Sequence, residues 1–121
     1  GGFIRSEPAS RTQYQTDLYD LYNKTRQVSR TVKQYEEDGD IEKAQRLYEK
    51  YEPELFALDD MRRTTRELSK IRQEVNDIYN SENMTPEEKR REIDKLIALR
   101  NDLTRSQMKE INEFIKQDDL K

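Results

Sequence analysis

Seven residues near the start of this chain recur at alternating spacings of four and three, and this repeat constrains the fold more than any other feature. They are Tyr14, Leu18, Leu21, Thr25, Val28, Val32 and Tyr35. Such spacing places all of them along one stripe of an α-helix, like the buried seam of a coiled coil. The repeat predicts a long helix over residues 12–37, with Ser10 as its N-cap. Gly39 is expected to end it, because glycine readily takes the left-handed conformation found just beyond a helix.

A short helix is predicted after this first one. Apolar residues share one face over residues 41–51, and Asp40 stands where an N-cap is expected. Pro53 then marks a break or a fresh helix start, because proline lacks the amide that a helix interior needs. The chain should therefore turn sharply between its first and second long helices.

Two more long helices are predicted over residues 54–79 and 86–117, from the periodicity of their apolar residues. Thr85, Pro86 and Glu88 form a capping box at the start of the second one, with proline at the first helical position. The short loop between these helices implies that they lie antiparallel.

The predicted fold is all-α, with three long antiparallel helices and one short helix packed as a bundle or helical hairpin with coiled-coil-like contacts. Residues 1–11, which include two glycines and Pro8, are expected to form an extended arm. The bundle would then cover residues 12–117, and residues 118–121 would form a frayed tail.

The composition suits long helices better than a compact globule or a disordered chain. Only 31% of residues are hydrophobic and 40% are charged, as in helices that bury one stripe each. Low hydrophobicity also accompanies disorder, but here 23 basic residues nearly balance 26 acidic ones and the apolar residues are periodic. Residues 35–60 carry ten acidic and three basic side chains, between two segments of net charge +3. This pattern predicts charge complementarity between neighbouring helices.

No set of residues predicts catalysis, a metal site or a cofactor. Cysteine and histidine are absent, which removes thiolate ligands and the commonest general base. The carboxylate pairs Asp59-Asp60 and Glu87-Glu88 each join neighbours that point about 100° apart on a helix, so neither pair converges on one substrate. Asp38, Asp40 and Glu42 lack the spacing of a calcium-binding loop. We therefore expect a protein that is not an enzyme.

Candidate partner-binding residues lie in the arm and beside the seam. Phe3 and Ile4 are the large apolar residues of the arm and are expected to dock on the helices or on a partner. Tyr19 and Tyr22 follow two seam leucines and widen the apolar face of the first helix. A face of that width indicates either a three-helix core or an exposed contact surface.

Two basic clusters are candidate phosphate or ion-pair sites; they contain Arg62, Arg63, Lys89, Arg90 and Arg91. A nucleic-acid-binding domain normally presents a basic stripe on a basic domain, whereas this chain has a net charge of −3. Pairing with acidic helices is therefore the favoured interpretation, and nucleic acid is not the expected partner. No apolar run approaches the roughly 18 residues of a membrane span, so we expect none.

Several stretches together resemble a known family. They are Gly1 to Arg5 with Pro8, Arg11 to Tyr14, Asp17 to Tyr22, and Met84 to Lys89 running into Ile93-Asp94 and Arg100-Asn101. This pattern, which covers most of the chain, resembles the helical C-terminal domain of the large polyvalent proteins of phages and prophages, the thirty-eighth domain of that series. The chain begins with Gly1 rather than methionine, and we expect it to be a piece of something longer.

The resemblance implies a fragment of a very long phage protein that is packaged in the virion and ejected with DNA. Any enzymatic domains would lie elsewhere in that protein, and the resemblance carries no catalytic residues onto this sequence. It implies a location in the virion or in the host cytoplasm.

The leading hypothesis is a non-catalytic helical domain for protein–protein interaction or assembly, from a large phage virion or DNA-ejection protein. Its partners would be virion components or the rest of its own parent chain. One alternative is a self-associating coiled coil, in which the first helix pairs with its copy to form a homo-oligomer. The other is a nucleic-acid-binding helical module, whose affinity for DNA would fall steeply with salt.

Overall fold

The computed structural model describes the backbone of residues 9–121 and the side chains of residues 13–121. Within this range it contains five helices: α1 (Ala9–Glu37), α2 (Ile41–Lys50), α3 (Glu52–Phe56), α4 (Leu58–Tyr79) and α5 (Pro86–Asp119). The all-α prediction is confirmed. None of these five helices carries an apolar stretch long enough to cross a membrane. Phe3 and Ile4 of the predicted arm lie outside the described residues.

The first helix begins earlier than predicted and ends where predicted. The described part of α1 begins at Ala9, so Ser10 lies within the helix and not at the N-cap position before it. Gly39 has a φ of 82°, the left-handed conformation expected at a helix end. The amides of Gly39 and Asp40 donate to the carbonyls of Glu36 and Tyr35 at 3.2 and 2.8 Å, which is the hydrogen-bond pair of a Schellman motif.

Asp40 occupies the N-cap position of α2, as predicted, but its side chain does not act as the cap. Asp40 does precede α2, but its side chain makes no hydrogen bond to the first turn of that helix. Its backbone, at φ −84° and ψ 61°, departs from the extended conformation in which a capping side chain reaches the exposed amides. The backbone of Asp40 instead completes the end of α1.

The predicted helix over residues 54–79 is divided at Ala57. Pro53 lies in the first turn of α3, as its missing amide requires, and α3 ends after one turn. Ala57 has φ −86° and ψ −1°, and its amide donates to the carbonyls of both Pro53 and Glu54 at 3.2 Å. The division separates Leu55, which packs toward α1 and α2, from Met61, which packs toward α1 and α5.

The start of α5 has the N-cap residue and the first-turn proline that the sequence predicts. Thr85 has the extended backbone of an N-cap, and its hydroxyl oxygen accepts a hydrogen bond from the Glu88 amide at 3.1 Å. Pro86 occupies the first helical position, where no intrahelical amide donor is needed. The capping residues therefore fix where the hairpin of α4 and α5 turns.

Two apolar clusters hold the helices together. The first joins α1, α4 and α5 and contains Leu18, Ala57, Met61, Leu68 and Ile111, all at most 4% exposed. The second joins α1 to α2 and contains Val28, Val32 and Ala44. Between α4 and α5, the Thr64 hydroxyl donates to the side-chain amide oxygen Oε1 of Gln107 at 2.6 Å. The fold is a three-helix core with α2 packed back against α1.

Polar side chains are buried within this bundle; they are Thr25, Thr65, Asn101, Thr104 and Gln107. The three threonine hydroxyls each donate to a carbonyl in the preceding turn of their own helix, at 2.7, 3.1 and 2.8 Å respectively. Each of these buried hydroxyls therefore has a hydrogen-bond partner. Thr25, the polar member of the predicted seam, is buried with its neighbours Leu18 and Val28.

Candidate functional site

Three side chains that the sequence singled out meet in one groove. Tyr19 and Tyr22 on α1 and Arg62 on α4 line two adjoining open cavities of about 280 and 450 Å³ between these helices. We call this surface the α1–α4 groove. Its tyrosines and cations are Tyr19, Tyr22, Arg26, Arg30, Lys33, Arg62 and Arg66. Four of these cations were not among the residues selected from the sequence: Arg26, Arg30, Lys33 and Arg66.

The helical period explains why these residues share one surface. On α1, Tyr19, Tyr22, Arg26 and Arg30 are spaced three or four residues apart, so they form a stripe beside the buried seam. On α4, Arg62 follows the fully buried Met61 and falls at the edge of the core. Packing of the two seams against each other therefore brings both flanks to the same groove.

Tyr22 lies at the centre of the groove, close to two guanidinium groups. Arg26 stands over its ring, with the guanidinium carbon 5.2 Å from the ring centroid. Burial acts to raise the pKa of Tyr22, but hydrogen bonds with Arg26 and Arg62 and the positive charges of both outweigh it. The pKa of Tyr22 consequently lies below its ordinary value of 10.0. Nearby, the Tyr19 hydroxyl accepts a hydrogen bond from Arg72 Nη2 at 3.4 Å.

The groove carries an excess of positive charge. Five cations line it, and no carboxylate does so among the described residues. Within residues 13–121, Arg62 is the one of these five that forms an ion pair, with Asp59 at 2.8 Å. The four ion pairs seen in this part of the chain each join residues three apart on one helix. The charge pattern had predicted pairing between helices, and the structure shows a different arrangement.

The remaining predicted cations lie elsewhere. Arg63 forms an ion pair with Asp60 on the same helix. Lys89 Nζ donates to the Tyr79 carbonyl at 2.9 Å, which satisfies an acceptor in the last turn of α4. Arg90 and Arg91 are exposed on α5. The second basic cluster therefore stabilises the α4–α5 connection at Lys89 and does not reach the groove.

A second surface, which the sequence analysis did not single out, lies where α2 and α3 meet the end of α5. Phe56 is 75% exposed, and its ring makes an edge-to-face contact with that of Phe114, with centroids 5.2 Å apart and planes at 82°. With Tyr48 and Pro53 these rings line an open cavity of about 270 Å³. We call these four residues the Phe56 patch. The sequence feature that could have indicated this surface is Phe56 itself, a large aromatic residue outside the apolar stripe of its helix.

The adjacent carboxylates at the start of α4 each have their own cationic partner. Asp59 and Asp60 pair with Arg62 and Arg63 respectively, in the first turn of α4, where negative charge favours the helix. Among the residues that the structure describes, no three carboxylates gather in a way that could hold a metal ion.

Comparisons of this chain with protein-family models, with curated proteins and with solved structures find no match.

Proposed function

We propose that this chain is a non-catalytic helical domain for protein–protein interaction or assembly, and that it is a fragment of a large phage virion or DNA-ejection protein. The observation that carries the binding role is the exposure of Phe56. This exposed phenylalanine adjoins Phe114, Tyr48 and Pro53, and a contiguous apolar patch of this kind marks a surface suited to contact with another protein. The phage origin is supported by the resemblance in the stretches around α1 and the start of α5.

The Phe56 patch has the anatomy of a small protein interface. Its apolar centre is made by the rings of Phe56 and Phe114, which are in edge-to-face contact. Its rim is polar, with Glu52, Gln117 and Asp118 around the cavity. Aromatic residues at the centre and polar residues at the rim are the usual arrangement in protein interfaces.

The alternative of a coiled coil formed by α1 and its copy has less support. Leu18, Thr25 and Val32 of the seam are at most 7% exposed, because α4, α5 and α2 already cover them. Pairing through this seam would require α1 to leave the bundle and expose the first apolar cluster. Self-association through another face stays compatible with the fold.

Size-exclusion chromatography with light scattering tests the proposal, on the chain alone and mixed with candidate virion proteins or neighbouring segments of the parent protein. We expect a complex of defined mass with at least one of them, and loss of that complex with Phe56→Ser. Leu99→Ser is the matched control, because Leu99 is a 48% exposed apolar residue of α5 outside the patch. A monomer that binds none of them, or a complex weakened equally by both substitutions, would contradict the proposal.

A further inference from the structure

We propose that the α1–α4 groove is a second binding site, and that its ligand is a short acidic peptide segment of another protein. The groove and the Phe56 patch share no residues, so this site is additional to the one behind the proposed function. The inference begins from five cations that line one surface of a chain whose net charge is −3.

This concentration of charge works against folding. On α1, Arg26, Arg30 and Lys33 follow one another at spacings of four and three, and like charges at these spacings destabilise a helix. On α4, Arg62 and Arg66 repeat the pattern at a spacing of four. The two rows face the same groove, so an anion bound there would relieve repulsion within both helices and between them.

The arginines have hydrogen-bonding capacity to spare. A guanidinium group has five N–H donors. Arg26 is directed to the ring and hydroxyl of Tyr22, and within residues 13–121 neither Arg30 nor Arg66 forms an ion pair. A planar guanidinium matches a carboxylate with two parallel hydrogen bonds, which are stronger than its bonds to a neutral phenol. Carboxylates are therefore ligands that these side chains would prefer to Tyr22.

The size of the groove favours a short ligand. Tyr19 and Lys33 mark its ends on α1, and a rise of about 1.5 Å per residue makes it roughly 20 Å long. An extended peptide of about six residues spans the same distance. Beyond Lys33, α1 ends in the exposed acidic residues Glu36 and Glu37, and the exposed Asp38 follows in the turn. These carboxylates would repel a long polyanion that continued past the groove.

The aromatic residues also favour a peptide over a nucleic acid. Proteins that bind single strands stack bases on open aromatic faces. Arg26 already covers a face of the Tyr22 ring, and Tyr19 packs against the first apolar cluster. Both tyrosines therefore serve to shape the groove and position its arginines.

Fluorescence anisotropy tests the assignment on the full chain at about 20 mM and about 150 mM salt, where screening differs strongly. The probes are labelled hexaglutamate, labelled hexaglutamine and a labelled oligothymidylate of similar length. The test variant is Arg30→Gln with Arg66→Gln, which removes two exposed cations that have no ion pair among the described residues. The control variant is Arg90→Gln with Arg91→Gln, which changes the net charge equally on an exposed part of α5.

We expect hexaglutamate to bind the wild-type chain and hexaglutamine not to bind. The test variant loses two exposed ion pairs between its arginines and the glutamates of the peptide. This loss should weaken hexaglutamate binding about tenfold. The control variant should change it by less than about twofold, since it acts only through long-range charge. Phe56→Ser should leave hexaglutamate binding unchanged, which separates this site from the proposed protein-binding patch.

Three results would overturn the proposal. One is the absence of hexaglutamate binding at the lower salt concentration. Another is equal weakening of hexaglutamate binding in the two double variants, which would show that net charge alone determines the affinity. The third is oligothymidylate binding that is tighter than hexaglutamate binding and is lost in the Arg30 and Arg66 variant, which would assign the groove to nucleic acid.

Discussion

Phe56→Ala and Met61→Ala should differ in their effect on stability. The comparison distinguishes a side chain that holds the fold together from one that is exposed and proposed to bind a partner. The two are five positions apart in sequence and flank the division at Ala57. Phe56 is the larger side chain, but it is 75% exposed, whereas Met61 is fully buried among α1, α4 and α5. The smaller residue should therefore matter more for stability.

The expected magnitudes follow from burial. Replacement of a buried methionine by alanine removes its transfer free energy and leaves a cavity, which together cost about 2–5 kcal/mol. We expect about 3 kcal/mol for Met61→Ala, because neighbours from three helices surround the site. Phe56 buries about a quarter of the roughly 200 Å² of a phenylalanine, and at about 25 cal/mol per Å² this gives about 1 kcal/mol for Phe56→Ala.

Urea and thermal unfolding followed by far-UV circular dichroism would measure both variants. At about 3–5 °C per kcal/mol for a chain of this length, we expect Tm to fall by about 10 °C or more for Met61→Ala and by about 5 °C or less for Phe56→Ala. An equal loss of stability in the two variants would refute the reasoning. Phe56 would then belong to the core, and the proposed binding role of the Phe56 patch would lose its main support.

Three further predictions concern single residues. Gly39→Ala should destabilise the chain by about 1–2 kcal/mol in urea unfolding and Gly39→Asn by less; a Cβ there meets no atom within 4 Å, so the cost comes from the positive φ alone. Thr85→Ala should cost about 1 kcal/mol in the same assay because it removes the cap of α5, while Thr85→Ser should restore most of it. The folded pKa of Tyr22 lies below the unfolded value of 10.0, so its stabilisation is fully present above pH 10 and is lost as the pH falls through the folded pKa. The urea midpoint of the wild-type chain should therefore exceed that of Tyr22→Phe by more at about pH 10.5 than at about pH 7, and an unchanged difference would contradict the placement of Arg26 and Arg62.

The features that could be predicted from the sequence are those whose cause lies within a few residues. Gly39 ends α1 because of its own conformational freedom, and Thr85 with Glu88 begins α5 through a hydrogen bond within one turn. The seam of α1 was predictable for a related reason, since a single period places Leu18 and Val28 on one stripe wherever the neighbouring helices lie.

The division at Ala57 could not be predicted, because alanine is the best helix former and no breaker stands at that position. The turn there follows from tertiary packing, in which Leu55 and Met61 belong to different apolar clusters. Packing energy therefore overrides local propensity at this one position, and the change of direction leaves Phe56 exposed beside Phe114.

The groove was predictable only in part. Tyr19 and Tyr22 were selected together as an aromatic flank of the first helix, and Arg62 was selected independently as part of a basic pair. These residues meet, together with Arg30 and Arg66, only at a particular rotation of α1 and α4 about their own axes. Periodicity fixes which residues share a stripe within one helix, but the rotation between helices is set by the shapes of all the buried side chains.

Residues of the groove are direct sequence neighbours of residues of the core on both α1 and α4. Tyr19 follows Leu18, and Arg62 follows Met61. A residue one position after a buried one lies about 100° around the helix, at the edge of the packed interface. Its backbone is held as firmly as the core, while its side chain stays accessible to a ligand. Substitutions within the core would consequently alter the groove by rotating its two rows of side chains, even where the lining residues are unchanged.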